Sequence, residues 1–273
     1  VNRILLTIHY YTLSPIARSP LVMSFAAAPS MPFGMGTPFS WESVLGSSYI
    51  DKNTQAQLSK VYLALAATLA SACAGSLSFI KWRIFSDPST PSILALLLML
   101  ALTFTKPTKS NTGLRLGMLL TFGFLDGCAL GPIVHATLRI DPSILVSALV
   151  SATLAFVCFS ASALTAKRRS MLYLGGILST TVSFLALASF FSFFFRSSMF
   201  SWVNLYMGLF VFCGFIVFDT QLMVEQIISG NKDFVVMALN LFVDFVAIFV
   251  RILVILLNNA EKKDEDNGRR SRR

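Results

Sequence analysis

The chain has 273 residues, of which 55% are hydrophobic and 13% charged, where a soluble domain carries about 25% charged residues. A mean hydropathy of +0.71 makes lipid the solvent for most of it and excludes an ordinary water-soluble domain. The net charge of +9 does not imply nucleic acid as a partner. Lys and Arg sit in short loops and in the tail "NNAEKKDEDNGRRSRR", the placement of membrane-flanking charge.

In chain order, residues 1–22 resemble nothing that follows and read as an upstream extension, disordered; the run "ILLTIHYY" is short for a signal-peptide core. Residues 23–57, rich in Pro, Gly, Ser and Ala, read as a cytosolic N-terminal segment. Seven apolar segments follow, at 58–80, 90–105, 114–136, 143–166, 171–195, 201–227 and 234–257. The breaks between them carry turn and charge signals: "KWRIFSDPSTP", "KPTKSNT", "RIDP", "KRRS", "FRSSM" and "SGNKD". Most segments suffice to cross a core of about 30 Å as helices; the second is short. Loops this short force antiparallel neighbours. The predicted fold is all-α: a polytopic bundle of seven transmembrane helices over 58–257, then a charged tail over 258–273. Cys73, Cys128, Cys158 and Cys213 lie in different apolar runs without a CxxC pair, which argues against a disulfide framework or a bound metal.

With seven spans the termini lie on opposite faces. Lys52, Lys60, Lys106, Lys109, Lys167, Arg168, Arg169 and Lys232 fall on the N-terminal face. Lys81, Arg83, Arg139 and Arg196 fall on the other. This count puts the N-terminus in the cytosol, although the basic residues of the tail oppose it.

In the third segment Gly123, Gly127 and Gly131 recur at four-residue spacing, which lets two helix backbones approach closely. Packing is the reading favoured for this motif, but Asp126 lies within it. His135, near the end of the same segment, suits an interfacial place better than a ligand role.

The last two segments raise the main question. Asp219 and Asp244 interrupt their apolar runs, and a mid-membrane aspartate costs about 2.5–3.5 kcal/mol on insertion scales. Asp219 lies twelve residues before Asn231, the centre of the intervening turn, and Asp244 thirteen after it. At about 1.5 Å per residue both lie about 18–20 Å from the turn, so a helical hairpin brings them to one level. Two carboxylates facing each other there share one proton rather than both ionise, which makes a proton-sensing latch. Arg251 lies seven residues beyond Asp244 on the same face. It either tethers a carboxylate or snorkels to the interface, and the second is favoured.

The runs "FDTQLMVEQIISGNKDF" and "LFVDFVAIFVRILVILL" resemble the C-terminal signature of the Bax inhibitor family, the transmembrane Bax inhibitor motif proteins. So do "LGPIVHATLRIDPSILVSAL", "AFVCFSASAL" and "RRSMLYLGGILS". The likeness covers about residues 40–262, and its wording is closest to plant members of the Bax inhibitor-1 branch. It implies a multi-pass protein of the endoplasmic reticulum membrane that suppresses programmed cell death and lowers the releasable calcium store. It further implies a pH-sensitive calcium leak sensed by an aspartate pair at the positions of Asp219 and Asp244. Calcium is then a permeating ion, no cofactor is required, and calmodulin and other membrane proteins of that compartment are expected partners. A bacterial relative uses an arginine of its second helix against the pair. No clean equivalent stands here, Lys106, Lys109 and Arg115 being only nearby. Asp126 and Ser151 replace the glutamate and glycine expected of plant relatives.

Two rival readings stand beside this one. An intramembrane aspartyl protease also uses two aspartates, but no GxGD, HExxH, GxSxG or P-loop occurs, so no enzyme is expected. An interaction scaffold would use the bundle as an anchor and the tail, with its acidic and basic blocks, to recruit calmodulin-like partners. Replacing the tail alone separates scaffold from leak.

Overall fold

The computed structural model describes residues 52–82, 87, 89–166, 173–195 and 198–270. The expectations for 1–51 and for the loop 167–170 lie outside the described residues. Within them every regular element is a helix. Seven α-helices follow in order: α1 (Lys52–Trp82), α2 (Ser89–Phe104), α3 (Thr112–Ile140), α4 (Pro142–Thr165), α5 (Leu174–Phe195), α6 (Ser198–Ile228) and α7 (Phe234–Arg270). Five of them, α1, α3, α4, α6 and α7, contain stretches long and apolar enough to cross a membrane. With its 16 residues, α2 reaches only about 24 Å, short of the hydrocarbon core as its sequence foretold.

The ends of the helices differ from the apolar runs for local reasons. α1 starts at Lys52 and α3 at Thr112, because polar residues outside the apolar stretch continue the helix into the interface. α7 likewise runs on through the charged tail to Arg270. α3 and α4 meet at a corner made by Asp141, whose backbone N–H still donates to the Thr137 carbonyl of α3. Its carboxylate caps α4 by accepting from the Ser143 N–H at 2.8 Å and the Ser143 hydroxyl at 2.7 Å. Pro142 follows as the first helical residue, where its missing N–H is no loss.

The turn between α6 and α7 is equally specified. Gly230 adopts φ +90°. Its N–H donates to the Ile227 carbonyl, and that of Asn231 to the Gln226 carbonyl, the double bonding of a Schellman stop. The Asn231 side chain then accepts from the Asp233 N–H at 3.0 Å, and α7 begins at the next residue.

Two assemblies make up the bundle. α1 and α3 pack parallel along a seam of small residues. Gly123 lies against Thr68, Gly127 against Ala72, Gly131 against Phe79, and Gly75 of α1 against Phe124. The Ser71 hydroxyl donates to the Leu120 carbonyl at 2.8 Å across it, and the Cys128 thiol to the Gly75 carbonyl at 3.3 Å. The second assembly is the α6–α7 hairpin, with α4 against both helices and α5 against α6. α1 also touches α7 and joins the two. α7 is therefore the central helix, while α4 presents Val146, Val150, Leu154 and Val157 outward, as a lipid-facing helix does.

Candidate functional site

Asp219 and Asp244 come together between α6 and α7. Asp244 is fully buried and Asp219 is 8% exposed. Their carboxyl groups lie within hydrogen-bonding reach of each other, surrounded by a core that includes Ile216, Met223, Leu241 and Ile248. Neither oxygen of Asp244 meets a hydrogen-bond donor among the described residues. Two ionised carboxylates offer each other acceptors only. A bond across the gap therefore exists when one of the two carries a proton, and in that state the pair is held together and buries one negative charge instead of two.

The α6 face beside Asp219 is tied down by neutral groups. The Thr220 hydroxyl bonds the Ser160 hydroxyl of α4 at 3.1 Å. Ser160 in turn bonds the Tyr62 hydroxyl of α1 at 2.8 Å. The Gln221 amide donates to the Ala163 carbonyl at 3.3 Å. α4 directly, and α1 through Tyr62 and Ser160, thus hold Thr220 and Gln221 beside Asp219 in a fixed rotation. These hydroxyls escaped the sequence reading because Ser and Thr in apolar helices commonly bond their own carbonyls, as Thr68 and Thr137 do here.

The accessory candidates are placed elsewhere. Asp126 of α3 is buried, and its Oδ2 has no partner among the described residues, but it does not join the pair. Among the described residues no three His, Cys, Asp or Glu side chains gather as a metal site. Arg251 leans over α6: its guanidinium carbon lies 4.3 Å from the centre of the Phe212 ring, its Nη1 donates to the Ala247 carbonyl at 3.0 Å, and its Nε occupies the space that a Cβ on Gly208 would need. It forms no ion pair among the described residues, so it tethers neither carboxylate there, and its guanidinium stacks on the Phe212 ring instead. His135 receives a bond from Arg139 Nε at 3.3 Å near the end of α3. Gly123, Gly127 and Gly131 all face α1.

One charged contact was not anticipated. Arg115 of α3, 2% exposed, binds Asp233 through two parallel bonds of 2.7 and 2.8 Å. In sequence Arg115 stood only as one of three cations near the second segment, with no partner assigned, and its partner is 118 positions away.

Residues 54–261 match the family model described as Inhibitor of apoptosis-promoting Bax1. The chain is 40% identical over 227 residues to Bax inhibitor 1 of Rattus norvegicus, covering 83% of this chain and 96% of that protein. To Bax inhibitor 1 of Homo sapiens it is 37% identical over 227 residues, with the same coverage. To Bax inhibitor 1 of Arabidopsis thaliana it is 38% identical over 228 residues, covering 83% of this chain and 90% of that protein.

Proposed function

The chain belongs to the family of inhibitors of apoptosis-promoting Bax1, and from that premise we propose that it restrains programmed cell death as a multi-pass protein of the endoplasmic reticulum membrane. In this reading it acts through a calcium leak controlled by the Asp219–Asp244 pair. The names of its relatives support the restraint of cell death, and the five long apolar helices support the membrane. The observation that carries the calcium leak is the pair itself: two carboxyls in an apolar core, one of them without any other donor among the described residues.

Proton loss turns a hydrogen-bonded pair into two repelling charges inside one hairpin. α6 and α7 then separate or admit a cation, and either event changes the open population. Calcium passes as a permeating ion and needs no resident cofactor. Two carboxylates supply too few oxygens for tight binding, since calcium takes six to eight, and water completes the shell in transit. No enzymatic step is assigned to the pair.

Purified protein in liposomes loaded with calcium tests this. Efflux should depend on pH, and Asp219→Asn or Asp244→Asn should flatten that dependence because an amide does not titrate. Wild-type efflux that ignores pH, or single variants that keep the wild-type profile, rejects the aspartate latch.

A second reading is favoured by the unbroken α7 backbone helix, which continues past the apolar stretch to Arg270. Such an arm suits recruitment of a helix-binding partner such as calmodulin. If replacing residues 261–273 abolishes protection from cell death and leaves calcium flux intact, the scaffold reading prevails.

A further inference from the structure

We propose that Arg115 and Asp233 form a clasp that sets the register of α7, and through it holds Asp244 against Asp219. This rests on the reading of the aspartate pair as the controlling element, and adds the residues that position it.

The contact has the geometry of a locator. Arg115 Nη1 meets Asp233 Oδ1 at 2.7 Å and Nη2 meets Oδ2 at 2.8 Å. Two parallel bonds fix the orientation of both planes, which one bond cannot do. The side chains are 3% and 12% exposed, so solvent screens the pair little. Arg115 Nη2 also reaches the Leu102 carbonyl at 3.5 Å, which brings the end of α2 to the same point.

Asp233 is part of the start of α7 and not of a free loop. Its Oδ1 receives the Val236 N–H at 3.5 Å, its carbonyl receives the Met237 N–H at 3.4 Å, and its own N–H is held by Asn231. A grip on Asp233 is therefore a grip on the helix. From the clasp α3 and α7 run side by side, with the Phe122 and Phe242 rings meeting edge to face at 5.6 Å. Contact between the two helices is otherwise sparse. Asp126 and Asp244 each lie eleven positions beyond the clasp on their own helices, about 16 Å along the axis.

A helix transmits axial shift and rotation along its length. A slip of one residue at the clasp would turn Asp244 by about 100° and carry it off Asp219. An apolar contact at the same place would tolerate sliding; a buried fork does not, because a displaced guanidinium leaves its own charge and that of the carboxylate unpaired. Release of the clasp frees the start of α7 without dismantling the seam of α1 and α3, whose contacts lie on another face of α3.

Disulfide trapping tests the register directly. In a background with the four native cysteines replaced, Asp219→Cys/Asp244→Cys should crosslink readily. Adding Arg115→Gln should lower the yield by about threefold, as expected for a modest shift in population. Arg115→Lys, which keeps the charge and gives up the fork, should fall between. The exchange Arg115→Asp with Asp233→Arg should restore the yield. Ser160→Cys/Thr220→Cys, which joins α4 to α6 where the two hydroxyls lie 3.1 Å apart, should be indifferent to all of these. An unchanged yield with Arg115→Gln overturns the clasp, as does an equal fall in the control pair, which would mean general loosening. In liposomes, Arg115→Gln should raise calcium efflux at a pH where the wild type is closed, and the exchange should reverse the rise. If the wild type passes no calcium at any pH, the leak reading fails, and the crosslink yields still decide the clasp.

Discussion

Gly127 presses so closely on the Ala72 carbonyl that no side chain can be built on it without moving one helix away from the other. Gly127→Ala should therefore lower the melting temperature in detergent, overpacking of this kind costing about 1–3 kcal/mol. Gly117→Ala on the same helix, where an added Cβ would meet nothing within 4 Å, should leave it unchanged or raise it slightly through helix propensity. Equal melting temperatures for the two variants would mean that the seam yields freely.

Asp219→Asn and Asp244→Asn should not add. The carboxyl pair needs one donor, and an amide at either position supplies it permanently. Each single variant should thus hold the hairpin closed over the whole pH range, and the double variant should change calcium efflux by less than the sum of the two. Strict additivity across a double-mutant cycle would show that the carboxyls act separately.

Asp141 gives a pH test outside the membrane spans. The Ser143 hydroxyl first, and the Ser143 N–H second, hold its carboxyl below the ordinary value. The unfolded value is about 3.9, so the stabilisation is fully present above that pH and fades as pH falls through the lower folded value. Asp141→Ala should melt below the wild type at neutral pH. The gap should close as pH drops below about 3.9; a gap that persists in strong acid would assign the loss to something other than the cap.

Gly230 is needed for its backbone alone. Its φ is +90°, yet a Cβ there would meet nothing within 4 Å. Gly230→Ala should destabilise by about 1–2 kcal/mol, the usual penalty of the left-handed region. Gly230→Asn should lose less and Gly230→Val more. If alanine and asparagine unfold alike, the turn has relaxed to a different shape.

The helices and their breaks are legible in the sequence, because apolar runs bounded by "RIDP" and "SGNKD" leave the chain little choice. The shared level of Asp219 and Asp244 is legible too, since it needs only the rise per residue and a turn. Rotation is not. Nothing local says that Gly127 faces Ala72 of α1 rather than lipid, although the small-residue run "TLASACAGS" in α1 is a partial sign. Arg115 shows the limit most clearly. A cation at the head of an apolar run looks interfacial, and only the path of the whole chain brings it to Asp233. The same holds for Ser160, whose partners Tyr62 and Thr220 lie 98 and 60 positions away.

The parallel seam also has a bearing on how the protein is made. α1 leaves the ribosome well before its partner: Gly75 and Phe124, which touch across the seam, are separated by a stretch that takes several seconds to translate at roughly 5–20 residues per second. During that interval the strip of Thr68, Ala72 and Gly75 has only lipid or the insertion machinery beside it, and α2, too short to cross comfortably, has no α3 to lean on. The α6–α7 hairpin is different, since its carboxyls lie about half as far apart in the chain, with one short turn between their helices, and enter the bilayer almost as one unit. An arrest of synthesis between α2 and α3 should therefore expose a nascent chain to quality control far more than an arrest after α6.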